Sequence, residues 1–341
     1  MSRVTPLLAR YAEGMFWMAR YLERVENIAR LVDVTQSVES PGREAESWSA
    51  LVQINADQGE FLARGLETTP QAVKRFYLLD ASNPTSVPAS LEAARTNART
   101  LRPLISTEMW LQLNVFHRET RGIAASELEG DALCRLCRRL KEAVQAHTGI
   151  TEGTLFRDQA WHFYWLGRLL ERADQTTRLL DIKYHQISPR QAEAKRVAEI
   201  TQWSAVLRAA AGYHAFRRVS DVAFAPRDVV GFLLADPAFP RSVLLCVREM
   251  EIHLNHLRAE YGLPHMAAPL ERVHELRAAI VGRRMDQVIA DGLHVFLDGV
   301  QRDLIALAQE IGTASFRDWR PLAMAVTDAS PAAASLADQN D

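Results

Sequence analysis

The chain has 341 residues, of which 48% are hydrophobic and 24% charged, and its formal net charge is -2 at pH 7. These values are typical of a globular protein with a large core, and the nearly balanced charge argues against a general nucleic-acid binder, which needs excess cations to displace counterions from phosphates. The chain has no run of about 18 uninterrupted apolar residues and no signal-peptide pattern at its start. We therefore expect a cytoplasmic protein without a membrane span.

The sequence is predicted to be helical almost throughout, because apolar residues recur at three- and four-residue spacing. The predicted helices, in chain order, cover residues 15–38, 91–102, 132–147, 158–186, 192–211, 243–260 and 271–290. Breaks are expected at Pro41-Gly42, Asn83-Pro84, Ser188-Pro189, Asp236-Pro237 and Phe239-Pro240. Proline lacks a backbone donor and pushes the residue before it out of the α region. Residues 326–341, which are rich in Ala, Ser and Asp, are predicted to be a disordered tail.

One charged motif occurs twice. Residues 20–24 (Arg-Tyr-Leu-Glu-Arg) recur as residues 168–172 (Arg-Leu-Leu-Glu-Arg), an offset of 148. Two further similar segments follow in the same order: Trp48-Ser49-Ala50-Leu51 recurs at Trp203, and residues 73–87 recur as 229–243, an offset of 156. Collinear matches with so little drift predict an internal duplication. We expect an all-α helical bundle with pseudo-twofold symmetry, built from residues 1–150 and 151–325 packed as one globular unit.

The charged and amide side chains of each repeated helix fall on one continuous polar arc at about 100° per residue. The arc holds Arg20, Glu23, Arg24, Glu26, Asn27, Arg30 and Asp33 in the first copy, and Arg168, Glu171, Arg172, Asp174, Gln175, Arg178 and Asp181 in the second. A solvated face laced with weak ion pairs is one interpretation. However, Trp17 and Trp165 lie on or beside the arc, where a solvated face has no need of large apolar groups. A buried or groove-lining Arg-Glu-Arg face is the alternative hypothesis.

This alternative has two forms, between which the residues do not decide. Arginine presents a planar fork of donors that grips carboxylates in pairs, so the face suits an anionic ligand. It equally suits two repeated helices that cross at the pseudo-twofold axis and pair their Arg and Glu side chains across the junction.

Metal and cofactor sites are not predicted. Cys134 and Cys137 form a C-x-x-C without the second pair that a four-ligand zinc site needs, so two structural thiols are favoured over a redox pair. His253 and His256 share a predicted helix face, but no Asp or Glu accompanies them at the spacing of a known metal helix.

The sequence resembles the bacterial alpha-E family. The resemblance rests on residues 17–24 and their copy 165–172, on the turn at residues 83–87, on the helix at 91–102 with Arg95, Asn97 and Arg99, and on residues 108–114; it covers about residues 7–320. It implies a helical fold named for its Glu-Arg motif. It also implies a circularly permuted ATP-grasp ligase as a partner, often with a transglutaminase-like peptidase, and hence amide or peptide bond formation. The chain has no glycine-rich phosphate loop, so no cofactor is expected here.

Three functions remain open. The first is a partner protein that binds the ligase, or an acidic peptide or amino acid. The second is an enzyme with Glu23 or Glu171 as acid/base, which flanking arginines disfavour because they lower a carboxylate pKa. The third is a scaffold whose Glu-Arg motifs serve only its own packing. The candidate ligand-binding residues are Arg20, Glu23, Arg24, Asn27, Arg30, Arg95, Asn97, Arg99, Arg168, Glu171, Arg172, Asp174 and Arg178.

Overall fold

The computed structural model describes residues 7–37, 44–187, 194–220 and 224–316, and these residues form fourteen α-helices and no strand. The helices are α1 (Ala9–Ser37), α2 (Glu44–Ile54), α3 (Gln58–Ala63), α4 (Pro70–Leu78), α5 (Val87–Thr100), α6 (Thr107–Arg121), α7 (Gly130–Thr154), α8 (Gln159–Ile187), α9 (Ala194–Ala209), α10 (Tyr213–Val219), α11 (Pro226–Ala235), α12 (Val243–Ala259), α13 (Ala267–Val281) and α14 (Met285–Ser315). The predicted all-α class is confirmed. The internal duplication and the division into two halves stay predictions.

Six predicted helices correspond to α1, α5, α7, α8, α9 and α12, with ends that differ by several residues. The predicted breaks at Asn83-Pro84 and at Asp236-Pro237 to Phe239-Pro240 precede α5 and α12. In both turns a serine starts the next helix, because Ser86 accepts from the Ala89 amide and Ser242 from the Leu245 amide. The other two predicted breaks, Pro41-Gly42 and Ser188-Pro189, and the predicted tail at 326–341 lie outside the described residues.

The helix predicted at residues 271–290 is wrong, because two helices meet there. Helix α13 ends at Val281, Gly282 follows as its C-cap, and Arg284 adopts extended backbone with φ -78° and ψ 133° before α14 begins. A Cβ on Gly282 would lie 2.9 Å from the carbonyl oxygen of Ala278, so glycine suits this helix end. Apolar residues keep their helical spacing across the break, which is why periodicity alone missed it.

Helices α1 and α8 lie at the centre of the molecule and pack against each other. Helix α1 also contacts α5 and α7, while α8 also contacts α12 and α14. The outer helices pack in sequence, α5 on α6 on α7 and α12 on α13 on α14. Both faces of α1 and α8 are therefore covered, and the charged arcs of the repeated helices become interior surfaces.

The two central helices run parallel and approach closely. The Leu7 amide donates to Gln159 Oε1 at 3.2 Å, Phe16 adjoins Gly167, and Glu23 pairs with Arg172, so contacts advance in the same direction along both helices. A Cβ on Gly167 would lie 2.1 Å from the carbonyl oxygen of Phe16. Only glycine permits this crossing, and the crossing brings the two Glu-Arg motifs within hydrogen-bonding distance.

Candidate functional site

Glu23 of α1 lies at the centre of the first group of buried charges. It is 1% exposed and pairs with two arginines of α8, at 2.9 Å from Arg172 Nε to Oε1 and 3.0 Å from Arg168 Nε to Oε2. A third guanidinium arrives from the turn before α12, with Arg241 Nη1 2.9 Å from Glu23 Oε1. We call this group the Glu23 cluster; it consists of Glu23, Glu26, Arg30, Arg168, Arg172 and Arg241.

The Glu23 cluster is completed by further protein side chains. Arg241 Nη2 and Arg30 Nη2 lie 2.9 and 2.5 Å from Glu26 Oε1. From α7, Thr148 accepts a hydrogen bond from Arg168, and Gln145 Nε2 lies 3.5 Å from Glu26 Oε1. Side chains of this protein therefore fill the space around the cluster.

Glu171 of α8 is the centre of a second group. It is 1% exposed and accepts from two arginines of α1, with Arg20 Nε 2.8 Å from Oε2 and Arg24 Nε 2.8 Å from Oε1. One turn along α8, Arg178 Nε donates to Asp174 Oδ2 at 2.9 Å. We call Arg20, Arg24, Glu171, Asp174 and Arg178 the Glu171 cluster.

The two clusters are reciprocal. Adding the offset of 148 to Arg20, Glu23 and Arg24 gives Arg168, Glu171 and Arg172. Each glutamate is held by the two motif arginines of the opposite helix. The repeated helices thus meet, and their charges pair across the junction.

The arginines keep both motif glutamates ionised. Burial alone would raise the pKa of Glu171, but Arg24 and Arg20 outweigh it and lower the pKa to about 2. Burial likewise opposes the charge on Glu23, and Arg172, Arg241 and Arg168 hold its pKa well below the usual range. Neither group can exchange a proton near neutral pH.

Asp174 and Glu26 occupy matching positions, since 26 plus 148 is 174, yet their electrostatics differ. Burial raises the pKa of Asp174, and the nearby Arg178 does not compensate. Burial also acts on Glu26, but Arg241 and Arg30 bring its pKa below the usual value. The difference follows from Arg241: the matching residue, at 241 minus 156, is Thr85, whose hydroxyl donates to Asp57 Oδ2 at 2.6 Å.

Two cavities flank α1. One, the Asp174 cavity, measures about 470 Å³ and lies between α1, α8 and α14; it is lined by Glu13, Phe16, Trp17, Arg20, Leu170, Asp174, Arg178, Leu304, Ile305, Ala308, Gln309, Gly312, Thr313 and Phe316. The other, the α5 cavity, measures about 1050 Å³; it is lined by Arg10, Glu13, Gly14, Trp17, Tyr21, Ala81, Pro88, Ala89, Glu92, Ala93, Thr96, Asn97, Thr100, His117 and Arg121. Glu13 and Trp17 line both cavities, so the two spaces adjoin along α1.

Ten of the thirteen candidate residues lie in or against the clusters. They are Arg20, Glu23, Arg24, Asn27, Arg30, Arg168, Glu171, Arg172, Asp174 and Arg178; Asn27 Oδ1 accepts from Arg241 at 2.9 Å.

The three candidates of α5 lie elsewhere. Arg95 Nε donates to Asn114 Oδ1 at 2.8 Å, Asn97 lines the α5 cavity, and Arg99 is exposed. Sequence reasoning also missed Arg241. Its signal was the match between Pro240-x-Ser242 and Pro84-x-Ser86, which aligns an arginine with Thr85.

The C-x-x-C cysteines and the predicted histidine pair are not members of either cluster. Cys137 is buried and free, and burial raises the pKa of its thiol to about 12. His162 Nδ1 lies 2.9 Å from His253 Nδ1, and His256 stacks on His162. Within residues 7–37, 44–187, 194–220 and 224–316, no three His, Cys, Asp or Glu side chains are arranged to hold a metal ion.

In the described part of the chain, every helix is too short or too polar to cross a bilayer.

Comparison with known proteins gives one family and a few distant relatives. A family model described as a predicted alpha-helical domain with a conserved ER motif matches residues 7–316. Uncharacterized proteins of Mycobacterium bovis and of Mycobacterium tuberculosis strain H37Rv are 23% and 22% identical over 310 residues. These matches cover 84% of this chain and 34% of each relative, so the chain spans about a third of their length. No solved structure matches.

Proposed function

Since this chain belongs to the Alpha-E family, we propose that it is a helical partner protein of a circularly permuted ATP-grasp ligase, and that it binds the ligase or an acidic peptide without performing the chemistry itself. One observation carries the choice of binding over catalysis. Both motif glutamates are buried and held by arginines of the opposite helix, so the motif joins α1 to α8 rather than presenting a reactive group.

An enzymatic role for Glu23 or Glu171 is the weaker alternative. A general acid or base needs a pKa near the operating pH. The arginine pairs lower the pKa of Glu171 to about 2 and hold that of Glu23 below its usual range. Both carboxylates also have their lone pairs directed at guanidinium groups, which leaves little room for a reacting proton.

The acidic peptide would lie in the α5 cavity. Arg10 and Arg121 line this space, and arginine forks recognise carboxylates well. Trp17 and Tyr21 provide an aromatic wall from α1. The volume of about 1050 Å³ is slightly above the range of common ligand sites, which is about 300 to 1,000 Å³. The space is sufficient for several residues of a peptide.

Two observations support a role beside another domain. The resemblance to the family implies a ligase partner, with a transglutaminase-like peptidase as a further candidate. The mycobacterial relatives are about three times as long as the matched region, so in them the region is joined to other sequence. Reciprocal pairing between two motifs whose equivalent residues are offset by 148 positions supports the proposed duplication into two halves, 1–150 and 151–325.

The test uses the full chain and a circularly permuted ATP-grasp ligase from the same organism. We expect the two to co-purify, and ATP-dependent amide formation from acidic amino acids to require this chain. The double variant Arg10→Ala, Arg121→Ala should reduce turnover at limiting substrate about 10-fold, since removing carboxylate contacts worth about 1.4 kcal/mol has that effect. Arg118→Ala is the matched control, because Arg118 is exposed on α6 and does not line the cavity.

Three outcomes would contradict the proposal. Absence of a complex together with unchanged turnover would favour the scaffold. Product formed by this chain without the ligase would favour the enzyme. Equal turnover of the double variant and the control would show that the acidic ligand does not bind in the α5 cavity.

A further inference from the structure

The two Glu-Arg clusters face different helices. On the α7 side, Thr148 and Gln145 hydrogen-bond to the Glu23 cluster. On the α14 side, the lining of the Asp174 cavity is mostly apolar, and its polar side chains are those of Gln309 and Thr313. The Glu171 cluster therefore adjoins a cavity of about 470 Å³, whereas the Glu23 cluster contacts side chains of α7 on the corresponding side.

Asp174 lines this cavity and, within the described part of the chain, has one carboxylate oxygen without a hydrogen-bond partner. The residue is 9% exposed, and Arg178 occupies Oδ2. Oδ1 is buried and has no hydrogen-bond partner among the described residues. A buried acceptor without a partner destabilises the fold, because it has lost its hydrogen bonds to water. The matching Glu26 also has one oxygen without a hydrogen bond, but Arg168 Nη2 lies 3.9 Å from it.

The two clusters also differ by one arginine. The Glu23 cluster has four arginines and two glutamates, whereas the Glu171 cluster has three arginines and two carboxylates. The missing cation is the counterpart of Arg241, since Thr85 stands at the matching position. Arg20 and Arg178 also line the cavity, but each is already paired, with Glu171 and Asp174.

We infer that the Asp174 cavity binds a small ligand with a primary ammonium or guanidinium group, which donates to Asp174 Oδ1 as Arg241 donates to Glu26. The aliphatic stem of the ligand packs on Leu304, Ile305 and Phe316. The site goes beyond the proposed function, because its occupancy does not depend on the ligase or on the α5 cavity. An amine is also the class of nucleophile that an amide-forming ligase consumes.

Binding is measured by calorimetry on the full chain without any ligase, so its failure is distinct from failure of the proposed partnership. The probes are cadaverine and agmatine, with 1-pentanol as an uncharged analogue and glutarate as an anionic one. We expect the two cations to bind with one site per chain, and indole signals of Trp17 to shift in their NMR titration. Pentanol and glutarate should bind at least about 10-fold more weakly, a difference of about 1.4 kcal/mol.

Two variants test the location. Asp174→Asn keeps the shape of the side chain and should weaken cadaverine at least about 10-fold. Ala308→Leu fills the cavity and should abolish binding, whereas Ala306→Leu is the matched control on the same helix and does not line the cavity. Urea unfolding of each variant identifies the folded ones.

Several results would overturn the inference. They are a Kd for both cations weaker than about 10 mM, equal binding of pentanol, preferential binding of glutarate, or undiminished affinity in folded Asp174→Asn. Retained affinity in folded Ala308→Leu would place the cation elsewhere.

Discussion

The Glu23 and Glu171 clusters have the same motif charges but different surroundings. Arg241, Thr148 and Gln145 close the first with side chains of the protein. The second adjoins a cavity and retains a buried carboxylate oxygen on Asp174. A motif that appears twice in one chain can thus be enclosed by protein side chains at one position and adjoin a cavity at the other. The residues around the motif, rather than the motif itself, distinguish the two.

The largest effect is expected from a substitution that separates α1 from α8 and so disrupts both clusters. Gly167→Ala places a Cβ against the Phe16 carbonyl oxygen and forces α1 and α8 apart. We expect a loss of more than about 4 kcal/mol in the free energy of unfolding, the upper range for single substitutions, measured by urea denaturation. Gly149→Ala in α7 is the control: its Cβ meets nothing within 4 Å, and helical Gly→Ala gains about 0.5–1 kcal/mol. Similar stability of both variants would refute the close crossing.

The second prediction compares the two glutamates. Glu23→Gln leaves three arginines facing a neutral amide, and Glu171→Gln leaves two. Breaking a buried ion pair costs about 3–5 kcal/mol, so both should destabilise, and Glu23→Gln should cost more. Chemical denaturation of both variants measures the difference, with the partly exposed Glu127→Gln as control. Equal losses would mean that Arg241 adds nothing to the Glu23 cluster.

The third prediction replaces Arg241 of the Glu23 cluster by threonine, the residue found at the matching position 85. Arg241→Thr removes the guanidinium that lowers the pKa of Glu26, so that pKa should rise, as burial raises that of Asp174. We expect a loss of about 2–3 kcal/mol, because a hydrogen bond to a charged group contributes about 1.5–3. Carbon-detected NMR titration follows Glu26, and Arg258→Thr on the exposed side of α12 is the control. An unchanged Glu26 titration would contradict the role given to Arg241.

The fourth prediction concerns acid and His147, which lies beside Arg168 of the Glu23 cluster. Burial, with help from Arg168, lowers the pKa of His147 to about 4, against about 6.5 in the unfolded chain. The unfolded state therefore binds a proton first as the pH falls, so stability is lost from about pH 6.5 down to about pH 4. At pH 5 the loss should be about 2 kcal/mol. The motif glutamates have lowered pKa values, so their protonation reduces stability only at still lower pH.

Urea midpoints between pH 7 and pH 5 measure this loss, with His147→Asn as the comparison. The asparagine can still donate to Gln112 Oε1, which His147 Nδ1 meets at 2.9 Å. The variant should show a flatter pH dependence. An equally steep dependence would assign the acid sensitivity to other groups, such as His162 and His253, whose pKa values burial also lowers.

Local patterns predicted the all-α class and most members of the two clusters. Apolar spacing predicted the bounds of α8 closely, and those of α1 except at its start. The repeated motif indicated that the charged faces of these two helices are related. The break at Gly282 escaped because apolar spacing ran through it. Arg241 escaped because its contact with Asn27 joins residues 214 positions apart. The Asp174 cavity depends on which α14 residues face α8, which no local pattern supplies.

The reciprocal pairing of α1 and α8 has the form of an isologous dimer interface, in which each partner offers the other the same contacts. A chain consisting of one half would carry both the arginines and the glutamate needed to bind a second copy of itself. In such a homodimer every substitution appears on both sides of the axis. A single polypeptide that carries both motifs is free of that constraint, so Arg241 can stand on one side and Thr85 on the other.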